Sequence, residues 1–114
     1  MSDFMLLFRG GNPREAGLSP EQFQRHMQDW GGRIGSLHAG GVFRAGESLK
    51  PAGRMVDARG AVTDGPFADV KELIGGFVII AASSWDEAVA TAKGCPVFKT
   101  GGRVEVRELE AMDR

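Results

Sequence analysis

The sequence predicts one domain of mixed helix and strand, with its elements in the order β-α-β, hairpin, β-α-β. Residues 4–8 and 77–82 are apolar at both alternating positions, which is typical of strands covered on both faces. A helix start follows each of these runs, at Ser19 and at Ser84. The chain has 114 residues, of which 42% are hydrophobic, so a single domain spanning 1–114 can bury a core of its own.

The first predicted helix begins at Ser19 and ends at Gly40. Ser19 is the N-cap, Pro20 takes the first helical position, and Gln22 completes a capping box. Apolar residues recur at spacings of four and three, which predicts one buried face made of Phe23, Met27, Trp30, Ile34 and Leu37. Three glycines inside the helix each weaken it by roughly 1 kcal/mol relative to alanine, so we expect another backbone to approach closely there. They are Gly31, Gly32 and Gly35.

A hairpin and a second β-α-β unit follow. Residues 42–45 form a short strand, and residues 54–58 and 61–64 flank Arg59-Gly60, which predicts a two-residue hairpin turn. Ser84 opens the second helix with another capping box, and Gly94 ends it. Its predicted inner stripe is Trp85, Ala88, Val89 and Ala92. The alternating residues 103–107 form the last strand.

Composition and charge exclude several classes of protein. The formal net charge is −1 and the pI about 6.1, with no run of Lys or Arg, so we expect no nucleic-acid partner. The apolar runs are far shorter than the ~20 residues of a membrane span, which predicts no membrane association. The single Cys95 and the acidic, short N-terminal stretch indicate a cytoplasmic protein.

The ligand inventory predicts neither a metal nor a cofactor. His26 and His38 lie about 18 Å apart along the first helix, so they cannot share an ion within one chain. The sequence holds one cysteine and no spaced cluster of His and carboxylate residues. Cys95 also has no base near it in sequence that would activate it as a nucleophile.

The predicted sheet has one face that no helix covers. Connections between parallel strands are right-handed, so both helices should lie on the same face. Strands 4–8 and 77–82 are nevertheless apolar on both sides, which would leave a large apolar patch in water. We therefore expect a second copy of the chain to cover it, forming a symmetric homodimer with a cavity between the two sheets.

Three separated motifs give the chain a resemblance to a known family. They are LHAGGVFRAGESLKP at residues 37–51, TDGPFADVKELIGGF at 63–77 and WDEAVATAKGCP at 85–96. On these motifs the chain resembles the DGPF-type members of the YCII-related family, from residue 4 to residue 108. The resemblance implies a ferredoxin-like dimeric α+β barrel, which agrees with the homodimer expected above.

The same resemblance implies candidate chemistry and partners. YCII relatives use a His and an Asp in a pocket, and one relative removes chloride from a chlorinated hydroxyaromatic compound. Many DGPF-type proteins resemble partners encoded beside extracytoplasmic-function sigma factors. The resemblance therefore implies either a small-molecule ligand or a sigma factor as the partner.

His26 and Asp64 are the candidate catalytic residues. An imidazole exchanges protons readily near neutral pH, so His26 is a candidate acid or base; the alternative is a boundary histidine bonded to the backbone. The Asp64 carboxylate would orient or deprotonate a bound hydroxyl, and the alternative is an Asp that stabilises a turn. Three residues after it form a candidate ligand-binding turn. They are Gly65, which allows close approach, Pro66, which restricts the turn, and Phe67, which forms an apolar wall.

These observations lead to one functional hypothesis and two alternatives. The leading hypothesis is a cytoplasmic homodimer that binds a small hydroxylated or aromatic molecule, with lyase-type acid–base chemistry at His26 and Asp64. The first alternative is a non-catalytic regulatory protein that acts with an extracytoplasmic-function sigma factor. The second is a dimeric scaffold with neither activity.

Overall fold

A computed structural model describes residues 1–65 and 69–111 of the chain. Its strands are β1 (Ser2–Arg9), β2 (Phe43–Ser48), β3 (Arg54–Val56), β4 (Val62–Asp64), β5 (Ile74–Ala82) and β6 (Arg103–Glu108), and its helices are α1 (Pro20–Ala39) and α2 (Trp85–Lys93). Three short 3-10 turns lie at Pro13–Glu15, Val70–Glu72 and Pro96–Thr100. The predicted order of elements is confirmed.

Four strands form one antiparallel sheet in the order β2-β5-β1-β6, which is a ferredoxin-like arrangement. The two apolar runs of the sequence become its central strands, β1 and β5. On the face that the helices cover, Phe4 is opposite Ile80 and Leu6 is opposite Val78. All four side chains are buried, and they form the centre of the hydrophobic core. The predicted α+β fold class is confirmed.

Both helices begin where the sequence predicts. The Ser19 hydroxyl accepts a hydrogen bond from the backbone amide of Gln22, and the side-chain oxygen of Gln22 accepts one from the backbone amide of Ser19. The predicted capping box is therefore complete. Ser84 likewise accepts from the Glu87 amide, while the Glu87 carboxylate bonds the Ser83 hydroxyl instead of closing a box. Local capping chemistry therefore sets the start of each helix.

The predicted buried face of α1 is partly wrong. Leu37 is buried, and Trp30 and Ile34 pack against the core, but Met27 is 41% exposed. His26 takes its place and is only 5% exposed. The face of α1 that packs against the sheet therefore includes His26 and not Met27, and the His26 imidazole accepts a hydrogen bond from Trp30, one turn later on the same helix. In α2, Ala88 and Ala92 are buried as predicted, whereas Trp85 and Val89 are exposed.

The expected close approach to the glycines of α1 is also wrong. A Cβ atom added at Gly31, Gly32 or Gly35 would meet nothing within 4 Å. Glycine at these positions lowers the stability of the helix, and no close contact in the chain requires it. We therefore expect Gly32→Ala to raise the free energy of unfolding by about 1 kcal/mol. Urea unfolding followed by circular dichroism measures the change.

Gly102→Ala is the opposing control for this substitution. A Cβ atom at Gly102 would lie 2.4 Å from Val97 Cγ2 and 3.1 Å from the Arg9 carbonyl oxygen. We expect this variant to be destabilised, because the neighbouring backbone leaves no room for a methyl group. Destabilisation by Gly32→Ala would show that α1 depends on its glycine at that position.

The face of the sheet without helices, called here the open face, has an apolar centre and a charged edge. Met5 lies opposite Ile79 and Leu7 opposite Phe77, and all four side chains are half-buried. Charged residues flank them on the outer strands. These are Arg103, Glu105 and Arg107 on β6 and Glu47 on β2. An apolar centre with a polar rim is the composition of a protein–protein interface.

Strands β3 and β4 form a separate two-stranded sheet, and residues 54–64 are called here the hairpin arm. The strands end at Val56 and Val62, so five residues connect them instead of the predicted two. The Asp57 carboxylate accepts from the amides of Arg59 and Ala61, and Gly60 has a φ of 82°. An Asp side chain that bonds the backbone thus builds the longer turn.

The chain is a thin plate with a large surface. Its principal extents are 47 × 43 × 19 Å and its radius of gyration is 15.6 Å, compared with about 13 Å for a compact domain of this length. It exposes 7935 Å², whereas a folded monomer of 12.2 kDa exposes about 6,100 Å². In the described part of the chain, no helix is both long enough and apolar enough to cross a membrane.

Candidate functional site

The end of β1 meets the loops that precede β5 and β6. The Gly10 amide donates to the Leu73 carbonyl at 2.8 Å, and a Cβ atom at Gly10 would lie 2.7 Å from the Lys71 carbonyl oxygen. The Thr100 hydroxyl donates to the Gly11 carbonyl at 2.6 Å. Gly10 has a φ of 65°, so both its conformation and this close approach require glycine. These contacts join three distant loops at one end of the sheet.

A groove of about 420 Å³ lies between these loops and is called here the loop groove. Its polar lining mixes charges of both signs, because Lys71 lies among carboxylates. The lining consists of Gly11, Asn12, Glu15, Ala16, Asp69, Lys71, Thr100 and Gly101. Asp69 and Lys71 belong to the motif at residues 63–77, so the middle of that motif contributes to the groove.

His26 is buried under the same end of the sheet. Its Nε2 accepts a hydrogen bond from the Trp30 indole at 3.2 Å, and the Trp30 ring packs edge-on against Phe8 at 5.0 Å. A nitrogen that accepts carries no proton, so the proton of this imidazole lies on Nδ1. The structure thus gives His26 a side-chain partner, where the sequence alternative expected the backbone.

Asp64 lies at the end of β4 in the hairpin arm. Its side chain is 80% exposed and its Oδ1 is 3.1 Å from Arg54 Nε. The Gly65 amide, next to it, donates to the Gly53 carbonyl at 2.8 Å. Pro66 and Phe67, the other residues of the predicted ligand-binding turn, lie outside the described residues.

The structure does not bring His26 and Asp64 together within one chain. No hydrogen bond joins them in the part of the chain that the structure describes, and each is bonded to a residue of its own element or hairpin. His26 is buried on the side of α1 that packs against the sheet, whereas Asp64 is on an exposed arm. The proposed pair can meet only through a ligand, a movement or a second chain.

Arg9 connects the Val70–Glu72 turn to β6 on the open face. Its guanidinium donates to Glu105 Oε1 at 2.8 Å and to the Glu72 carbonyl at 2.9 Å, and Arg103 bonds the Glu72 carboxylate. The hydrogen bond from Arg9 lowers the pKa of the exposed Glu105 carboxyl. Glu72 thus ties its turn to β1 and β6 through Arg9 and Arg103, and sequence reasoning missed Arg9. The sequence signal that could have identified it is its position, since Arg9 is a cationic residue immediately after the apolar run at 4–8.

A second groove of about 390 Å³ lies between α1 and the Pro96–Thr100 turn, and it contains Cys95. Burial raises the pKa of the Cys95 thiol, and the opposing influence of Arg33 is smaller. A protonated, buried thiol is a poor nucleophile, which agrees with the expectation from the sequence. Among residues 1–65 and 69–111, no group of three metal-ligating side chains comes together.

The sheet order, the two helices on one face and the groove at its loop end define a ferredoxin-like α+β domain with a site-sized cleft. The model of the YCII-related domain matches residues 5–113, so the chain belongs to the YCII-related family. No curated protein sequence matches the chain.

Among solved structures, the chain is similar to 5-chloro-2-hydroxyhydroquinone dehydrochlorinase (TftG) from Burkholderia phenoliruptrix AC1100, in complex with 2,5-dihydroxybenzoquinone. The TM-score is 0.50 and the identity is 19%, over 95% of this chain and 93% of that chain. At this identity the likeness supports a shared fold, over nearly the full length of both proteins.

Proposed function

We propose that this protein is a DGPF-type member of its family that binds a small hydroxylated or aromatic molecule in the loop groove. The observation that carries the proposal is the groove itself, which lies between three loops that Gly10 holds close together through its contact with the Lys71 backbone. Its volume of about 420 Å³ is in the range of small-molecule sites. The complex of TftG with 2,5-dihydroxybenzoquinone supports the choice of ligand class.

The lining offers matching groups for such a ligand. Lys71 makes no ion pair among the described residues, so its ammonium is available to a phenolate or quinone oxygen. The Asn12 amide could donate a further hydrogen bond, although its Oδ1 accepts from the Arg14 amide. Asp69 and Glu15 can accept from ligand hydroxyls. The groove therefore suits a ring with polar groups at its edge.

Acid–base chemistry at His26 and Asp64 is part of the proposal, and the structure limits how it can operate. The Nε2 of His26, the ring nitrogen with the lone pair that would take a proton, accepts from Trp30, so acid–base chemistry at this imidazole requires Trp30 to release Nε2. Asp64 would orient or deprotonate a ligand hydroxyl only when its arm is brought to a site. We also propose that the functional unit is a homodimer joined through the open face, as the apolar centre of that face favours.

Lys71→Ala tests the ligand site. We expect wild-type protein to bind 2,5-dihydroxybenzoquinone, and the variant to bind it about 10-fold more weakly, because one charge-assisted hydrogen bond is lost. Isothermal titration calorimetry at constant pH measures both affinities.

Lys93→Ala is the matched control, since Lys93 lines the second groove and is also exposed. The affinity of Lys93→Ala for 2,5-dihydroxybenzoquinone should equal that of the wild-type protein. Equal loss in both variants would place binding outside the loop groove. Failure of wild type to bind any hydroxyquinone or phenol of a panel would favour the regulatory alternative.

A further inference from the structure

The hairpin arm has an apolar side that nothing in its own chain covers. Val56 lies opposite Val62 across the two strands, and these side chains are 64% and 59% exposed. Arg54 and Asp64 lie on the same side, because side chains two residues apart in a strand share a face. The arm thus presents two adjacent valines beside one ion pair.

The arm also has little to hold it in place within its own chain. Strands β3 and β4 pair only with each other in the described sheets. An isolated two-stranded hairpin is marginally stable in water at best. The ion pair of Arg54 with Asp64 is exposed to solvent and adds little to the stability of the arm. A well-formed arm with exposed valines therefore points to an additional surface that covers it.

Charge and area favour a second copy of this chain as that surface. The arm carries Arg54, Arg59, Asp57 and Asp64, so its charges balance and select neither nucleic acid nor an acidic membrane. Each chain exposes about 1,800 Å² more than a compact monomer of its mass. A standard interface buries about 800 Å² per partner, so this excess of exposed area is large enough to supply the interface of a stable dimer.

We propose that each hairpin arm crosses to the other subunit of the dimer and packs there through its Val56–Val62 side. The inference rests on the homodimer of the proposed function and adds an element that the open face does not include. Asp64 lies at the base of the arm and travels with it. The site that uses Asp64 is then completed by the partner subunit, which explains why Asp64 and His26 do not meet within one chain.

The test is the double variant Val56→Ser, Val62→Ser. Four valines leave the interface of each dimer, so we expect the dimer dissociation constant to rise at least about 100-fold. Analytical ultracentrifugation over a dilution series measures it. The matched control is Arg54→Gln, Asp64→Asn, which changes the same side of the arm and keeps both valines; its constant should stay within a few fold of wild type.

Hydrogen exchange of wild-type protein gives a second, independent readout. Amides of residues 54–64 should exchange slowly well above the dissociation constant and quickly below it. Any of three results would overturn the proposal. The wild-type protein could be monomeric, the double variant could keep the dimer dissociation constant of wild type, or the exchange rates of the arm amides could be independent of protein concentration. Ligand affinity for the loop groove is measured separately, so a failed arm contact with intact hydroxyquinone binding would leave the proposed function standing.

Discussion

Replacing Leu6 with alanine is expected to lower the free energy of unfolding by about 3–4 kcal/mol, because it opens a cavity at the centre of the core. Leu6 is 0% exposed and lies in β1 between Val78 of β5 and Val106 of β6. Its neighbours belong to a sheet whose backbone is bonded on both sides, so they cannot collapse into the space. A loss of this size is a large share of the 5–15 kcal/mol of a typical domain.

The next residue along the strand provides the control for this prediction. Leu7 points to the open face and is half-buried, so Leu7→Ala removes less buried surface from the monomer. Urea unfolding of both variants, at concentrations low enough to keep the protein monomeric, should show the larger loss for Leu6→Ala. Equal losses would mean that both faces of β1 are equally buried in a single chain.

Replacing Leu7 with glutamate is expected to separate the proposed dimer, with a dissociation constant at least about 1,000-fold higher. Leu7 lies opposite Phe77 at the centre of the open face. In a symmetric dimer each substitution occurs twice, so two carboxylates would be buried in one apolar interface without partners. Light scattering coupled to size-exclusion chromatography measures the mass at several concentrations.

Gln24→Glu adds the same charge to the exposed part of α1 and should leave the mass unchanged. A Leu7→Glu variant that remains dimeric would place the interface elsewhere on the molecule. A variant with reduced helix content at low concentration would show that Leu7 supports the fold of the single chain.

The sequence predicts the elements well because their signals are local. Ser19 and Ser84 cap helices through side-chain bonds to amides three residues later, and such bonds need no tertiary contact. The two apolar runs become central strands because only a covered strand suits their composition. The buried face of α1 was harder to predict, because the choice between His26 and Met27 depends on how the helix packs against the sheet.

The candidate site is less predictable, because separate segments build it. The loop groove requires Gly10 to meet Lys71 and Thr100 to meet Gly11, and neither pairing leaves a pattern in one sequence. The ligand-binding turn at Gly65, Pro66 and Phe67 stays a prediction, whereas Asp69 and Lys71, which line the groove, were not predicted as site residues. The sequence cannot show that Asp64 itself lies on an arm outside that groove.

The position of β1 in the sheet has a consequence for synthesis on the ribosome. Strand β1 precedes the other strands of the sheet in sequence but lies in its middle, and Phe4 pairs with both Ile80 and Glu108. Its hydrogen-bonding edges therefore stay unsatisfied until β5 and β6 have both emerged, and such long-range pairing forms slowly. Newly made chains should thus depend on protection from aggregation until β6 is available, and a ribosome stalled before residue 103 should hold a domain that cannot complete its sheet.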